Sequence, residues 1–95
     1  MRAVWKYPVE VYDRFTLAMP AGATVLTVQM QHGVPYLWAL VDPKATPETR
    51  RFRLAGTGHV MRDEVEEEVY VGTFQMSGGG LVFHVFEATG REPTP

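Results

Sequence analysis

Three histidines, His32, His59 and His84, are the residues of this chain with the most chemistry open to them. Together they could supply a three-histidine zinc site, but none sits in an H-x-H or HExxH arrangement. The chain has no cysteine, which removes thiol nucleophiles, disulfides and cysteine-rich metal sites. Ser77 is the only serine, it lies in "SGGG" (77–80), and no G-x-S-x-G surrounds it. No metal and no cofactor is therefore expected, and the chain reads as a binding protein and not an enzyme.

Other candidates are binding groups. In "GTGH" (56–59) two glycines would let a backbone approach an anion, although neither a P-loop nor a GxGxxG fingerprint is present. A β-turn is the plainer reading of the same residues. Arg50, Arg51, Arg53 and Arg62 cluster in the second half, and Trp5, Tyr7, Tyr12, Tyr36, Trp38 and Tyr70 offer amphipathic rings. Arginine forks and aromatic faces hold nucleotide phosphates and bases, and they also dominate protein–protein contacts. The acidic run "DEVEEE" (63–68) reads as solvated surface. His32 is followed by Gly33, and that pair reads as a turn.

The elements that must position these groups are strands. "ATVLTVQMQ" (23–31) alternates, with Thr24, Leu26, Val28 and Met30 on one face and Val25, Thr27, Gln29 and Gln31 on the other. "YLWALV" (36–41) is apolar on both faces, as a central strand would be. "RRFRLAG" (50–56) alternates Arg51 and Arg53 with Phe52 and Leu54, and "VYVGTFQM" (69–76) and "LVFHVFE" (81–87) follow the same rule. Two earlier strands are expected at 3–11 and 15–19, with Pro8 placing the first at an edge or a bulge. "PAGA" (20–23), "HGVP" (32–35) and "SGGG" (77–80) read as hairpin turns. Residues 60–67 have room for one or two helical turns.

The expectation is all-β: a small antiparallel β-sandwich or open barrel of about seven strands built from successive hairpins. Residues 1–88 would form one domain, and 89–95 a flexible tail. A chain of 95 residues supports one modest core, so oligomerisation is an expected source of further stability. Hydrophobic residues make up 45% and charged residues 21%, which argues against disorder. The formal net charge of -2 and pI near 5.9 disfavour a duplex nucleic-acid partner. No apolar run approaches the roughly 18 residues that span a bilayer, and the N-terminal stretch lacks a signal-peptide core, so a cytoplasmic location is expected.

"WKYPVEV", "MPAGATVLTVQMQHGVPYLWALVDP", "GTGH" and "GTFQMSGGGLVFHVFE", in this order, resemble a family of small uncharacterised proteins of bacteriophages and prophages. The resemblance covers about residues 4–88. It implies a phage accessory protein in the host cytoplasm and carries no catalytic mechanism with it. By analogy with other small phage proteins, one reading is a homo-oligomer that sequesters a nucleotide-type immune signal. Trp38 or Trp5 would stack a base, Arg51 and Arg53 with the backbone at Gly58 and His59 would hold phosphates, and His84 and Gln75 would read polar edges. The alternatives are a module that binds a host protein and a minor virion or assembly component.

Overall fold

The computed structural model describes residues 1–63 and 66–90. Seven strands follow one another: β1 (Ala3–Pro8), β2 (Arg14–Pro20), β3 (Thr24–Gln31), β4 (Val34–Val41), β5 (Pro47–Gly56), β6 (Glu68–Met76) and β7 (Leu81–Ala88). They form two antiparallel sheets, one ordered β1-β4-β3 and the other β2-β5-β7-β6. Neither sheet closes on itself, so the architecture is a β-sandwich.

Alternation builds the core. Leu37, Ala39 and Val41 of β4 turn inward against Phe15 and Met19 of β2, Phe52 and Leu54 of β5, Phe74 of β6 and Val85 of β7. Phe15 and Phe52 face each other across the β2–β5 ladder and stack at 5.1 Å. β4 is the centre of its sheet, as its two apolar faces require, and β1 is an edge, as Pro8 requires.

Three features depart from the local reading. The "PAGA" turn is no hairpin. Ala23 N–H donates to Pro20 O, and Gly22 supplies a φ of 79°, yet β2 and β3 belong to different sheets and the turn carries the chain between them. The alternation of β3 breaks at Leu26. Val25 pairs with Ala39, Thr27 with Trp38 and Val28 with Leu37, so a bulge puts Val25 and Val28 on one face. The described residues between 60 and 67 contain no helix. Of the proposed tail, residues 91–95 lie outside the described residues.

The "HGVP" reading resolves as a two-residue hairpin. Gln31 pairs with Val34, while His32 (φ 52°) and Gly33 (φ 78°) both adopt left-handed conformations, as a type I′ turn demands. The register sets Gln29 opposite Tyr36 and Thr27 opposite Trp38. Asparagine visits this conformation more readily than histidine. His32→Asn should therefore raise stability by a few tenths of a kcal/mol, measured as a urea midpoint. A loss of stability would mean that the imidazole does more than turn the chain.

Tyr7 lies opposite Leu37 and its hydroxyl is buried without a hydrogen-bond partner. Burial also raises its pKa above the usual tyrosine value. A raised folded-state pKa contributes stability below about pH 10, and that contribution is lost as pH rises through the folded value. Tyr7→Phe should be neutral or stabilising by about 1 kcal/mol at neutral pH, because it removes an unsatisfied polar group. The variant should also lose less stability than the parent above about pH 10. Thermal melts at pH 7 and above pH 10 read both effects.

Candidate functional site

The outer face of the four-stranded sheet gathers most of the polar candidates. On β5, Arg51 and Arg53 flank the buried Phe52 and so point outward. Arg53 reaches across β7 to Glu68 on β6, with Nε donating to Oε2 at 2.9 Å and Nη2 to Oε1. Its Nη1 donates to Arg62 O at 2.9 Å, which ties the chain at Arg62 to the sheet. Arg51 pairs in the same two-pronged way with Glu66, and that hydrogen bond holds its guanidinium above the ordinary arginine range. The acidic run is thus not mere solvated surface: Glu66 and Glu68 are half-buried partners of the arginines.

His84 stands beside them on β7, opposite Ala55 and Thr73. Its Nε2 lies 2.6 Å from Thr57 Oγ1, and its Nδ1 lies 3.1 Å from both Tyr70 OH and Thr73 Oγ1. Tyr70 also meets Phe86 edge to face at 5.2 Å. Both ring nitrogens are therefore occupied within the protein, and the cluster ties β6, β7 and the end of β5 together. Gln75 is exposed on the same face, opposite Val82.

Gly58 (φ 83°) and His59 close a turn in which His59 N–H donates to Gly56 O at 3.1 Å. The His59 ring covers Gly56, where an added Cβ would come within 2.7 Å of Nδ1. Gly56 pairs with Phe83, so it belongs to the face opposite to that of His84. His59 and Arg53 line one open cleft of about 350 Å³, together with Arg14, Arg62 and Asp13. His32 sits at the far β3–β4 turn, and among the described residues no three histidine, aspartate or glutamate side chains gather as a metal site.

Trp38 is elsewhere. It flanks the buried Leu37 and Ala39 on β4 and faces outward from the three-stranded sheet, on the layer opposite Arg51 and Arg53. Its row reads Lys6, Trp38, Thr27 across β1, β4 and β3, and the next row reads Pro8, Tyr36, Gln29. Lys6 Nζ lies 4.4 Å from the Tyr36 ring centre and 5.7 Å from that of Trp38, within cation–π range, and donates to Gln31 Oε1. β1, β3 and β4 contain no aspartate or glutamate.

The profile of a domain of unknown function, DUF7352, matches residues 1–95. The chain belongs to the DUF7352 family. No curated protein and no solved structure matches it.

This DUF7352 domain thus divides the sequence candidates between two outer faces. Arg51, Arg53, Gln75 and His84 share the four-stranded sheet, Gly58 and His59 lie at its rim, and Trp38 faces away. Trp5 is on a third surface, since its pairing with the buried Ala39 turns it toward the inner side of the sandwich. Sequence reasoning missed Lys6, Thr57 and Thr73, and named Tyr70 only as one of six amphipathic rings. Lys6 carried a usable signal: it alternates with Trp5 and Tyr7, which marks it as the polar member of an outer row. Among the described residues no helix is long and apolar enough to cross a membrane.

Proposed function

We propose that this DUF7352 domain is a non-enzymatic binding module, that its contact surface is the outer face of the β1-β4-β3 sheet, and that its partner is a protein. The observation that carries the reading is the Lys6–Tyr36–Trp38 stack beside Gln29 and Gln31. Around it Val4, Leu26 and Val34 are exposed. Aromatic anchors are what protein interfaces concentrate at their centres, and here Lys6 and the two glutamines supply polar contacts beside them. With no carboxylate on these strands, the face suits a partner that brings its own acidic group to Lys6. In a phage setting, which the sequence resemblance suggests, that partner is a host protein.

Lys6→Glu and Trp38→Ala test this. A stoichiometric partner captured from host lysate by the parent domain should be lost by both variants and kept by Arg51→Glu on the opposite face. Capture that survives both changes would put the contact surface elsewhere.

Sequestration of a nucleotide is the second reading, favoured by the cleft that brings Arg53, Arg62 and His59 together. It is weakened by the engagement of Arg53 with Glu68 and by the distance in the fold between Trp38 and the arginines. A thermal shift with cyclic dinucleotides or cyclic ADP-ribose isomers, kept by Trp38→Ala and lost by Arg62→Ala, would select it.

A further inference from the structure

Among the described residues β1 is a free edge of the three-stranded sheet, and the hydrogen-bond alternation says which of its groups are unused. Val9 N–H donates to Pro35 O at 2.9 Å, and this pair continues the register of Tyr7 with Leu37, Trp5 with Ala39 and Ala3 with Val41. In an antiparallel ladder hydrogen-bonded pairs alternate with non-bonded ones. The odd-numbered residues of β1 therefore exchange hydrogen bonds with β4. The even-numbered residues, Val4 and Lys6, point their N–H and C=O groups away from it.

Natural edges are blunted by proline, charge or a covering segment. Here Pro8 closes the end of the strand. Lys6 is drawn over Tyr36 and Trp38 instead of guarding the edge. Val4 is 56% exposed, and Trp5, although it faces the inner side, is still 41% exposed. An edge that carries its strand's largest apolar ring in solvent is a pairing surface.

We propose that β1 pairs antiparallel with β1 of a second copy of this chain, about a two-fold axis passing through Trp5. The register is chosen by charge. An axis through Val4 would set Arg2 opposite the second copy's Lys6, and an axis through Lys6 would set the two lysines face to face. Like charges directly opposite are destabilising. With the axis at Trp5, Val4 exchanges hydrogen bonds with Lys6 of the other copy and Lys6 with its Val4. Pro8, which has no N–H, meets Arg2. The two Trp5 residues then form the non-bonded pair at the axis, where side chains come closest, and each covers the other's exposed ring. The contact is isologous, as a two-fold dimer requires. It joins the sheets into one continuous six-stranded layer and places two Lys6–Tyr36–Trp38 surfaces side by side.

The alternation supplies a clean test. Val4→Pro removes an N–H that β4 does not use, so the fold survives while the dimer contact is lost. Sedimentation velocity should show a dimer for the parent domain and a monomer for Val4→Pro, with unchanged circular dichroism. The chain has no cysteine, so single cysteines report the register. Trp5→Cys should cross-link under mild oxidation, because opposite non-bonded residues lie about 4.5 Å apart at Cα. Lys6→Cys should not, because diagonal neighbours lie about 7–8 Å apart. A parent domain that stays monomeric at every concentration, a dimer that persists in Val4→Pro, or cross-linking through Lys6→Cys in place of Trp5→Cys would each overturn the proposal.

Discussion

Glu87→Ala should destabilise the domain by about 2–3 kcal/mol, measured as the urea midpoint shift multiplied by an unchanged slope. Glu87 lies opposite Phe52 on the core side of the four-stranded sheet, and it receives Arg50 through Nε at 2.5 Å and Nη2 at 3.0 Å. Arg50 Nη1 donates in turn to Ala23 O at 2.8 Å, just ahead of β3. One guanidinium therefore clasps the two sheets together. Its side chain is 18% exposed and that of Glu87 14%. The Glu87 hydrogen bond raises the Arg50 pKa above its ordinary range against the opposing effect of burial, and because a guanidinium does not lose its proton in proteins, a charge is left stranded when Glu87 is removed.

The loss falls below the roughly 3–5 kcal/mol of a fully buried pair because the site is partly wet and Glu48 lies 3.6 Å from Arg50. Glu87→Gln keeps the shape and one acceptor, so it should cost about 1 kcal/mol. Replacing both partners, Arg50→Met with Glu87→Leu, should recover most of the single-variant loss, since no charge is then stranded. A Glu87→Ala variant within about 0.5 kcal/mol of the parent would show that solvent replaces the carboxylate without penalty.

The strands were legible because period two is a local signal, and all seven occupy stretches that alternate or run apolar. Sheet membership was not, and "PAGA" shows why. A glycine at positive φ reverses the chain equally well within one sheet or between two, and only the pairing of β2 with β5 and of β3 with β4 decides which. The Leu26 bulge escaped for a related reason: an inserted apolar residue in an apolar strand leaves the hydrophobic pattern readable in either register. The arginines were found, but their engagement was not. Arg53 and Glu68 are 15 residues apart and meet only because β7 lies between β5 and β6, with each strand antiparallel to it. Trp38 was expected to stack a base whose phosphates Arg51 and Arg53 would hold. Its separation from Arg51 and Arg53 follows from β4 and β5 lying in different layers, which no spacing along the chain reveals.

Gly72→Val should cost about 2–3 kcal/mol, the upper part of the overpacking range, and Val28→Ala should restore much of it. Gly72 and Val28 mark the corner where the sheets approach most closely, β6 against β3. A Cβ at Gly72 would lie 3.1 Å from Val28 Cγ1, 3.7 Å from Val28 N and 4.0 Å from Thr27 Oγ1. Val28 is 2% exposed, so packing leaves it room to give by only a few tenths of an ångström. Both strands bulge here, β3 between Val25 and Thr27 and β6 between Tyr70 and Gly72, so each bends where the other passes. Glycine is needed for space and not for conformation, since its φ is not positive.

That distinction sets the pattern of outcomes. Alanine at 72 gains roughly 0.5–1 kcal/mol from a stiffer unfolded chain and asks Val28 to yield only slightly, so it should be close to neutral. Valine adds two further methyl groups facing backbone and must push the strands apart. Val28→Ala alone opens a cavity and costs about 2 kcal/mol. In the double variant the new valine fills the volume the old one leaves, so the two losses should fall short of additivity by about 1 kcal/mol or more. Strict additivity would mean that the corner relaxes independently at each strand and that Gly72 is not what lets the two sheets meet.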